Sequence, residues 1–289
     1  MLTSDQWHQK ALETKLDQRS IELRFLVLRA LQSGGRGHVG SALSLIEIFR
    51  VLYDDVMQFN PMDPAWILRD RCLLSKGHGC LALYAILADK GFFPREVLDT
   101  FCEFDSILGG HPEPKVPGVE IAAGSLGHGL AIGVGMAIAA RIQNRKNKVY
   151  VVVGDGEINE GSIWESALSA AKHKLSNLNV MIDYNKMQSY GSTKEVLDME
   201  PLVQKWQSFG FQVHEVNGHD ITALKTTLSS LLDDNHKPHA IICHTIKGKG
   251  LKLAENNPAW HHKSKLIEEE MNSIYQALQL EIDQCVLKV

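Results

Sequence analysis

Cysteine is scarce in this sequence and never paired. Cys72, Cys80, Cys102, Cys243 and Cys285 are its five, and no two stand at a C-x-x-C spacing. That excludes a disulfide framework and a cysteine-built zinc site, and it fits reduced thiols in a cytosol. Long apolar runs are missing as well: the longest small-apolar stretch, Gly129–Ala140, is short and broken by glycine, too little to cross a bilayer. The opening residues, MLTSDQWHQKALETK, hold no apolar signal core. Nor is there an excess of one charge. Thirty Lys and Arg are interspersed with 34 Asp and Glu for a net charge of −4, so no basic face offers itself to nucleic acid or to an anionic membrane. Repeats and low-complexity segments are lacking too. The expectation is a soluble, cytoplasmic protein. Hydrophobic residues make up 44% of its 289 positions, enough for a substantial core, and the organisation expected is one domain over residues 1–289.

The most informative stretch is Val149–Asn185. Val149–Val153 is an unbroken β-branched run, as expected of a strand buried on both faces, and it ends at Gly154-Asp155-Gly156, where glycine permits a sharp turn and close backbone approach to a ligand. Ser162–Lys174 has apolar residues at helical spacing, and Leu178–Tyr184 reads as a second strand that closes a βαβ unit. Asp155 and Asn185 therefore fall just past the carboxyl ends of two parallel strands, the edge at which open α/β sheets bind ligands. Asp155 offers a carboxylate oxygen, Asn185 an amide oxygen, and the backbone carbonyl at Met187 a third. Three hard oxygens half-fill the shell of Mg²⁺ and leave room for water and a diphosphate. A lone Gly-Asp-Gly is equally at home in an ordinary turn. The thirty residues from Asp155 to an asparagine after a second strand favour the metal reading.

Along the rest of the chain, Thr3–Ser33 has helical periodicity, as one helix or two, ended by Gly34-Gly35, and an apolar helix opens at Ser44 and runs through Tyr53. Arg71–Leu74 reads as a strand, Cys80–Lys90 and Phe92–Phe104 as helices, and Leu130–Arg141 as a helix rich in small residues. Gln188–Pro201 reads as a polar loop or lid, Pro201–Phe209 and Ile221–Asp233 as helices, Phe211–Val216 and Ala240–Thr245 as strands, and Lys263–Val289 as an amphipathic helix. This alternation predicts an α/β fold with a mainly parallel sheet and helices on both faces. Histidines recur in glycine-bearing loops: His38 between Gly37 and Gly40, His78 between Gly77 and Gly79, His111 after Gly110. Glycine leaves space beside an imidazole that reaches into a pocket, and His78 also stands where a strand gives way to a helix N-terminus. The amides of Gly124-Ser125-Leu126-Gly127-His128-Gly129 suit a phosphate or a flat ring. Neither Gly127-His128-Gly129 nor Gly133-Val134-Gly135 continues to a complete G-x-G-x-x-G, and Lys247-Gly248-Lys249 lacks the glycine of a P-loop.

The stretch GDGEINEGSIWE followed by DYNKM resembles the thiamin-diphosphate signature in the form found in transketolases. The segments Gly-His at 37–38, S-K-G-H at 75–78, G-H-P-E at 110–113 and G-S-L-G-H-G at 124–129 resemble that family in the same order. The resemblance implies a thiamin-diphosphate-binding fold, with Asp155, Asn185 and the Met187 carbonyl holding Mg²⁺, or another divalent ion such as Ca²⁺ or Mn²⁺, against the cofactor's diphosphate. It places His38, His111 and His261 at the substrate. It puts His78, Gly124, Ser125, Leu126, Gly154, Asp155, Gly156, Glu157, Glu160, Asn185 and His261 at the cofactor. Glu160 and Glu165 match acidic positions that in the family couple the two halves of the active site. His128 stands where the family has glutamine, and His262 is read as a bystander pointing away from His261.

The resemblance covers the first of the three domains of a full-length transketolase. It implies the N-terminal subunit of a split enzyme, which transfers a two-carbon ketol unit between a ketose phosphate and an aldose phosphate with a separate C-terminal subunit, expected as an α2β2 heterotetramer. The glutamate that activates the cofactor's pyrimidine would come from that partner. Two alternatives remain at this point: the diphosphate-binding subunit of a deoxyxylulose-phosphate-synthase-like or 2-oxo-acid-dehydrogenase-like enzyme, and a non-catalytic subunit. The several histidines argue against an oxo-acid enzyme, and the intact Asp155 and Asn185 against a non-catalytic one.

Overall fold

In the computed structural model, which describes residues 2–231 and 236–286, five strands form one sheet in the order β1-β2-β3-β5-β4, and every neighbouring pair is parallel. The strands are β1 (Arg71–Leu74), β2 (Val149–Gly154), β3 (Leu178–Tyr184), β4 (Gln212–Asn217) and β5 (His239–His244). The helices, in chain order, are α1 (Ser4–Glu13), α2 (Gln18–Gly34), α3 (Val39–Leu43), α4 (Ile46–Val51), α5 (Cys80–Asp89), α6 (Gly129–Ile142), α7 (Gly161–Lys172), α8 (Thr193–Leu197), α9 (Leu202–Ser208), α10 (Ile221–Ser229) and α11 (Glu268–Val286).

Period-two alternation along the strands sends side chains into two separate cores. Val149, Val151 and Val153 of β2 and Leu178, Val180 and Ile182 of β3 pack with Ala167 and Ala170 of α7 and Trp206 of α9. Tyr150, Val152 and Met181 face the larger core, with α2, α4, α5 and Leu224 and Leu228 of α10. The topology explains the division. The chain adds strands in one direction through β3, steps out to β4 and returns inward to β5, and a right-handed crossover made in reverse puts α10 on the face opposite α7.

Several sequence expectations change in detail. The N-terminal periodic stretch is two helices. Thr3 caps α1 in a capping box with Gln6, Asp17 caps α2, and Gly35 ends α2 in the left-handed region at φ 59°. Phe92–Phe104 is not an α-helix. Pro94 opens a 3₁₀ segment at Arg95–Thr100, and Cys102, at φ 62°, turns the chain so that its N–H bonds the Leu108 carbonyl at 2.9 Å. The buried Phe92, Phe93, Leu98 and Phe101 imitate helical spacing while anchoring an irregular segment. The polar stretch after Gln188 contains α8, capped by Ser192 and Glu195, a pattern that was readable in the sequence. Helix α10 ends at Ser229, and the Asp233 at which it was expected to end lies outside the described residues, as do Leu287, Lys288 and Val289 of the C-terminal expectation.

Candidate functional site

Every strand of the sheet points its carboxyl end at the same edge, so the segments that follow Leu74, Gly154, Tyr184 and His244 gather there. The loop after β3 is built around Lys186, a non-glycine residue in the left-handed region at φ 64°. Side-chain-bearing residues persist in that conformation only where their surroundings hold them, and such positions concentrate at functional sites. Here the Lys186 N–H donates to Asp155 Oδ2 at 2.5 Å, and Asp155 Oδ1 accepts the Gly156 N–H at 2.8 Å. The Met187 N–H donates to Asn185 Oδ1 at 3.1 Å, and the Met187 carbonyl accepts from Lys247 Nζ at 3.1 Å. Asp155, Asn185 and Met187 thus meet across adjacent parallel strands.

Beneath them lies a carboxylate that sequence reasoning passed over. Asp183 is fully buried and accepts from Lys76 Nζ, from Thr245 Oγ1, from Ser44 Oγ at 2.7 Å and from Asn185 Nδ2 at 3.0 Å. Burial works against its charge, but the Lys76 ammonium and the two hydroxyls hold it below the usual carboxylate range. Asp155 is pushed up, by burial first and then by the Asp183 charge, and Lys247 is pushed down, by burial and then by Lys76. Two buried lysines in this bed, Lys76 on Asp183 and Lys247 on the Met187 carbonyl, place ammonium groups where they offset its carboxylates. The signal for Asp183 was available as the one acidic residue inside the mostly apolar β3; Lys76 and Lys247 sat in the motifs S-K-G-H and T-I-K-G-K-G without being singled out.

The donor set fits a hard divalent ion. It comprises one carboxylate, one amide oxygen and one backbone carbonyl, and the carbonyl already draws a cation, the Lys247 ammonium. Among the described residues no three His, Cys, Asp or Glu side chains form a metal cage, as expected for a site with a single carboxylate. Orphaned polar atoms lie at the same edge: His261 Nδ1 and Gln188 Nε2 are buried with no hydrogen-bond partner, and Gln188 packs beside Gly156.

The four histidines singled out converge. Ring centroids of His78, His111 and His261 lie 5.4, 6.2 and 5.5 Å from that of His38, and His78 and His261 are 5.6 Å apart. His262, expected to point away, is nearer still, 4.5 Å from His38. The reason is a backbone bridge. Gly37 and Lys263 exchange N–H bonds at 2.8 and 2.9 Å, which lays the segment after Trp260 alongside His38. Burial, reinforced by neighbouring imidazoles and by Lys247 and Lys76, pushes His38 down to about 4 and His261 to about 3; burial and Lys76 also hold His78 well below its ordinary value, and burial lowers His111. All four are therefore neutral at pH 7, with one ring nitrogen free to donate and one to accept. His261 Nε2 lies 3.0 Å from Ser189 Oγ, and the His111 carbonyl accepts from Tyr84 at 3.1 Å.

The loop Gly124-Ser125-Leu126 lies exposed beside this cluster. Its neighbour Ala123 donates its N–H to the Pro112 carbonyl at 3.2 Å, and a side chain at Gly77 would meet the Ala123 carbonyl at 1.8 Å, so the segments bearing His78, His111 and Gly124 interlock. Gly127, at φ 81° and packed against Glu160, gives the loop its turn. Glu157, expected at the cofactor, is 2% exposed. Its carboxylate accepts from the Gly127 and Gly154 N–H groups at 2.9 and 3.0 Å and from Ser75, which leaves it tying three loops together. Glu160 and Glu165 are exposed, and His128 is exposed with Nδ1 2.9 Å from the Leu126 carbonyl.

Residues 16–286 match the family model described as transketolase, thiamine diphosphate binding domain. An apulose-4-phosphate transketolase subunit of Actinobacillus succinogenes is 46% identical over 246 residues, 85% of this chain and 88% of that protein. A 6-deoxy-6-sulfo-D-fructose transketolase subunit of a Clostridium species is 40% identical over 260 residues, 90% of this chain and 94% of that one. Human transketolase is 34% identical over 89% of this chain but only 41% of its own length. Among solved structures, transketolase from Leishmania mexicana superposes with a TM-score of 0.82 at 29% identity, covering 100% of this chain and 46% of that one. With its sheet, its histidine-lined edge and its sequence all agreeing, the chain belongs to the transketolase family, in the part that forms the thiamine diphosphate binding domain.

Proposed function

We propose that this chain is the cofactor-holding subunit of a two-chain transketolase, which moves a two-carbon ketol unit from a ketose phosphate to an aldose phosphate in the cytoplasm. The observation that carries the reading is the convergence of His38, His78, His111 and His261 over the strand ends whose loops bear Asp155, Asn185 and Met187. Residues 1–289 act as one diphosphate-binding domain. Asp155, Asn185 and the Met187 carbonyl hold Mg²⁺, or Ca²⁺ or Mn²⁺ in its place, while Lys247, Lys76 and the Gly124–Leu126 backbone receive the diphosphate of thiamine diphosphate. His78 and the Gly154 and Gly156 backbone line the same end, and Glu157 fixes the loops. Bound thiamine diphosphate supplies the electron sink that lets a carbon–carbon bond beside a ketone break.

The chain's own contribution to turnover is positioning and proton handling. Neutral imidazoles at His38, His111 and His261 hydrogen-bond substrate hydroxyls and take or return a proton at a ring nitrogen, with Ser189 orienting His261 through Nε2. The exposed Glu160 and Glu165 face outward, available to couple paired sites across an assembly. A separate C-terminal subunit completes the enzyme as an α2β2 heterotetramer. The support is that two similar proteins, both named as one subunit of an apulose-4-phosphate transketolase, are matched over 88% of their length, whereas human transketolase is matched over 41%.

The test is reconstitution. This chain and a C-terminal transketolase subunit, sought in the adjacent reading frame, are assayed for ketol transfer between sugar phosphates, separately and mixed, with Mg²⁺ and thiamine diphosphate present. Activity is expected only in the mixture. Transfer by the isolated chain would overturn the two-chain reading, and CO₂ release from a 2-oxo acid without sugar exchange would overturn the reaction class.

A further inference from the structure

Helix α1 lies outside residues 16–286, the span that matches the family domain. It nevertheless touches the strand ends and loops at the edge of the candidate site. Lys186 Nζ donates to the Ser4 carbonyl at 2.8 Å and stands 3.6 Å from Asp5 Oδ1. The Trp7 ring stacks on His244, the last residue of β5, with centroids 5.1 Å apart and planes 8° from parallel. Lys249 Nζ donates to the Leu12 carbonyl at 2.7 Å, which satisfies a C-terminal carbonyl of α1, and Asn217, at the end of β4, donates to Thr14 Oγ1 at 2.7 Å.

These contacts fall on the segments that matter most. Lys186 separates Asn185 from Met187, and around its left-handed backbone its own N–H meets Asp155 Oδ2 while the Met187 N–H meets Asn185 Oδ1. That conformation needs outside support, since a side chain disfavours it. The Ser4 carbonyl anchors the far end of the Lys186 side chain. His244 precedes Thr245, which bonds Asp183, and the loop continues to Lys247, whose ammonium meets the Met187 carbonyl. Trp7 caps the start of that loop and Lys249 pins its end.

We propose that α1 is a clamp, with Trp7 and the Lys186 side chain as positioning residues that hold the 185–188 and 244–249 loops in register. The proposal takes from the functional reading only that these loops receive the metal and the diphosphate. Trp7 Nε1 is buried without a partner, so its contribution is the ring face and not a hydrogen bond. Phenylalanine should therefore substitute for it and alanine should not.

The test is amide hydrogen exchange on the full-length chain, comparing Trp7→Ala, Trp7→Phe and Gln9→Ala, the last on the exposed side of α1, together with thiamine diphosphate titration in the presence of Mg²⁺. Trp7→Ala should speed exchange at 184–188 and 244–249 by tenfold or more while β2 and α2 keep wild-type protection, and should weaken magnesium-dependent cofactor binding by about tenfold. Trp7→Phe should restore most of both, and Gln9→Ala should match the wild type. Should Trp7→Ala fail to fold, Lys186→Met removes the bond to Ser4 with the α1 packing intact and should show the same local acceleration. Wild-type exchange in both loops refutes the clamp. Asp155→Ala separates the two readings: if it keeps cofactor binding while Trp7→Ala accelerates exchange, the metal assignment falls and the clamp stands. If Asp155→Ala loses binding while Trp7→Ala is wild type in both measurements, the clamp alone falls.

Discussion

Ile182 and Asp183 are consecutive residues of one strand, and they face opposite worlds. Ile182 points into the core shared with α7 and α9, where β2 and β3 contribute valine, leucine and isoleucine. Asp183 points to the other face and is as fully buried, yet it sits among a lysine, two hydroxyls and an amide. On that same face Arg24 pairs with Glu47 at 2.6 and 3.0 Å, Glu47 meets His219 Nδ1 at 2.7 Å, and His219 Nε2 accepts the Ile246 N–H at 2.8 Å, next to Lys247. One face is thus apolar along both strands, whereas the other combines the larger apolar core with a set of buried charges under the site. A buried ion pair is weak support for stability, since desolvation offsets most of its attraction. Its place directly beneath the candidate site points to positioning as its use.

The largest expected effect breaks the polar face. Asp183→Asn keeps the shape and removes the charge, which leaves the Lys76 ammonium buried without its counter-ion. Breaking one partner of such a pair costs about 3–5 kcal/mol. Denaturant unfolding should register that loss, and magnesium-dependent thiamine diphosphate binding should fall with it because Asn185 and Lys76 both lose their anchor. A variant with wild-type stability would show that the two faces do not differ in the way described.

How the two faces read in the sequence differs in the same manner. β1 and β3 have the limits expected from their apolar runs, because a strand buried on both sides writes its character in consecutive residues. The glycine-histidine and Gly-Asp-Gly segments were visible for a similar reason, each being local. Asp183 was not singled out, because its meaning depends on Lys76, 107 residues away, and no periodicity reports such a pair. His262 joins the cluster through the bridge of Gly37 to Lys263, and α1 reaches the site through long-range contacts such as those of Lys186, His244 and Lys249. The segment at Phe92–Phe104 failed for the opposite reason: its aromatic spacing suits a helix, but Pro94 and the turn at Cys102 decide the backbone.

A smaller effect follows from the histidines on the polar side. His38, with a folded value of about 4 against an ordinary 6.5, is held neutral by burial and by neighbouring His262 and His111. The unfolded chain binds a proton there that the native chain refuses, so the stability it lends is present above about pH 6.5 and is lost as pH falls toward 4. The whole cluster is lowered in the same direction, and the chain should lose stability steeply over that window. In His38→Gln the slope should flatten by up to one proton, at most about 1.4 kcal/mol per pH unit. Urea midpoints at pH 7.5, 6.0 and 5.0 give the comparison. An unchanged slope would mean that His38 is solvated, and that the cluster does not keep its imidazoles neutral.

The smallest effect is expected one residue before Asp183. Ile182→Val removes a single methylene from the apolar core, at a cost of about 0.5–1.5 kcal/mol, and the branched side chain keeps its strand preference. The backbone there is held by register on both sides, Val153 of β2 and Ile242 of β5, so the loss should stay in the core and leave the loop at 185–187 where it is. Thermal unfolding should shift down slightly while magnesium-dependent cofactor affinity stays at the wild-type value. Asp183→Asn, by contrast, should move both. The comparison rests on that separation: if Ile182→Val weakens cofactor binding in proportion to its stability loss, cofactor affinity follows global stability, and the buried charge under the site has no positioning role of its own.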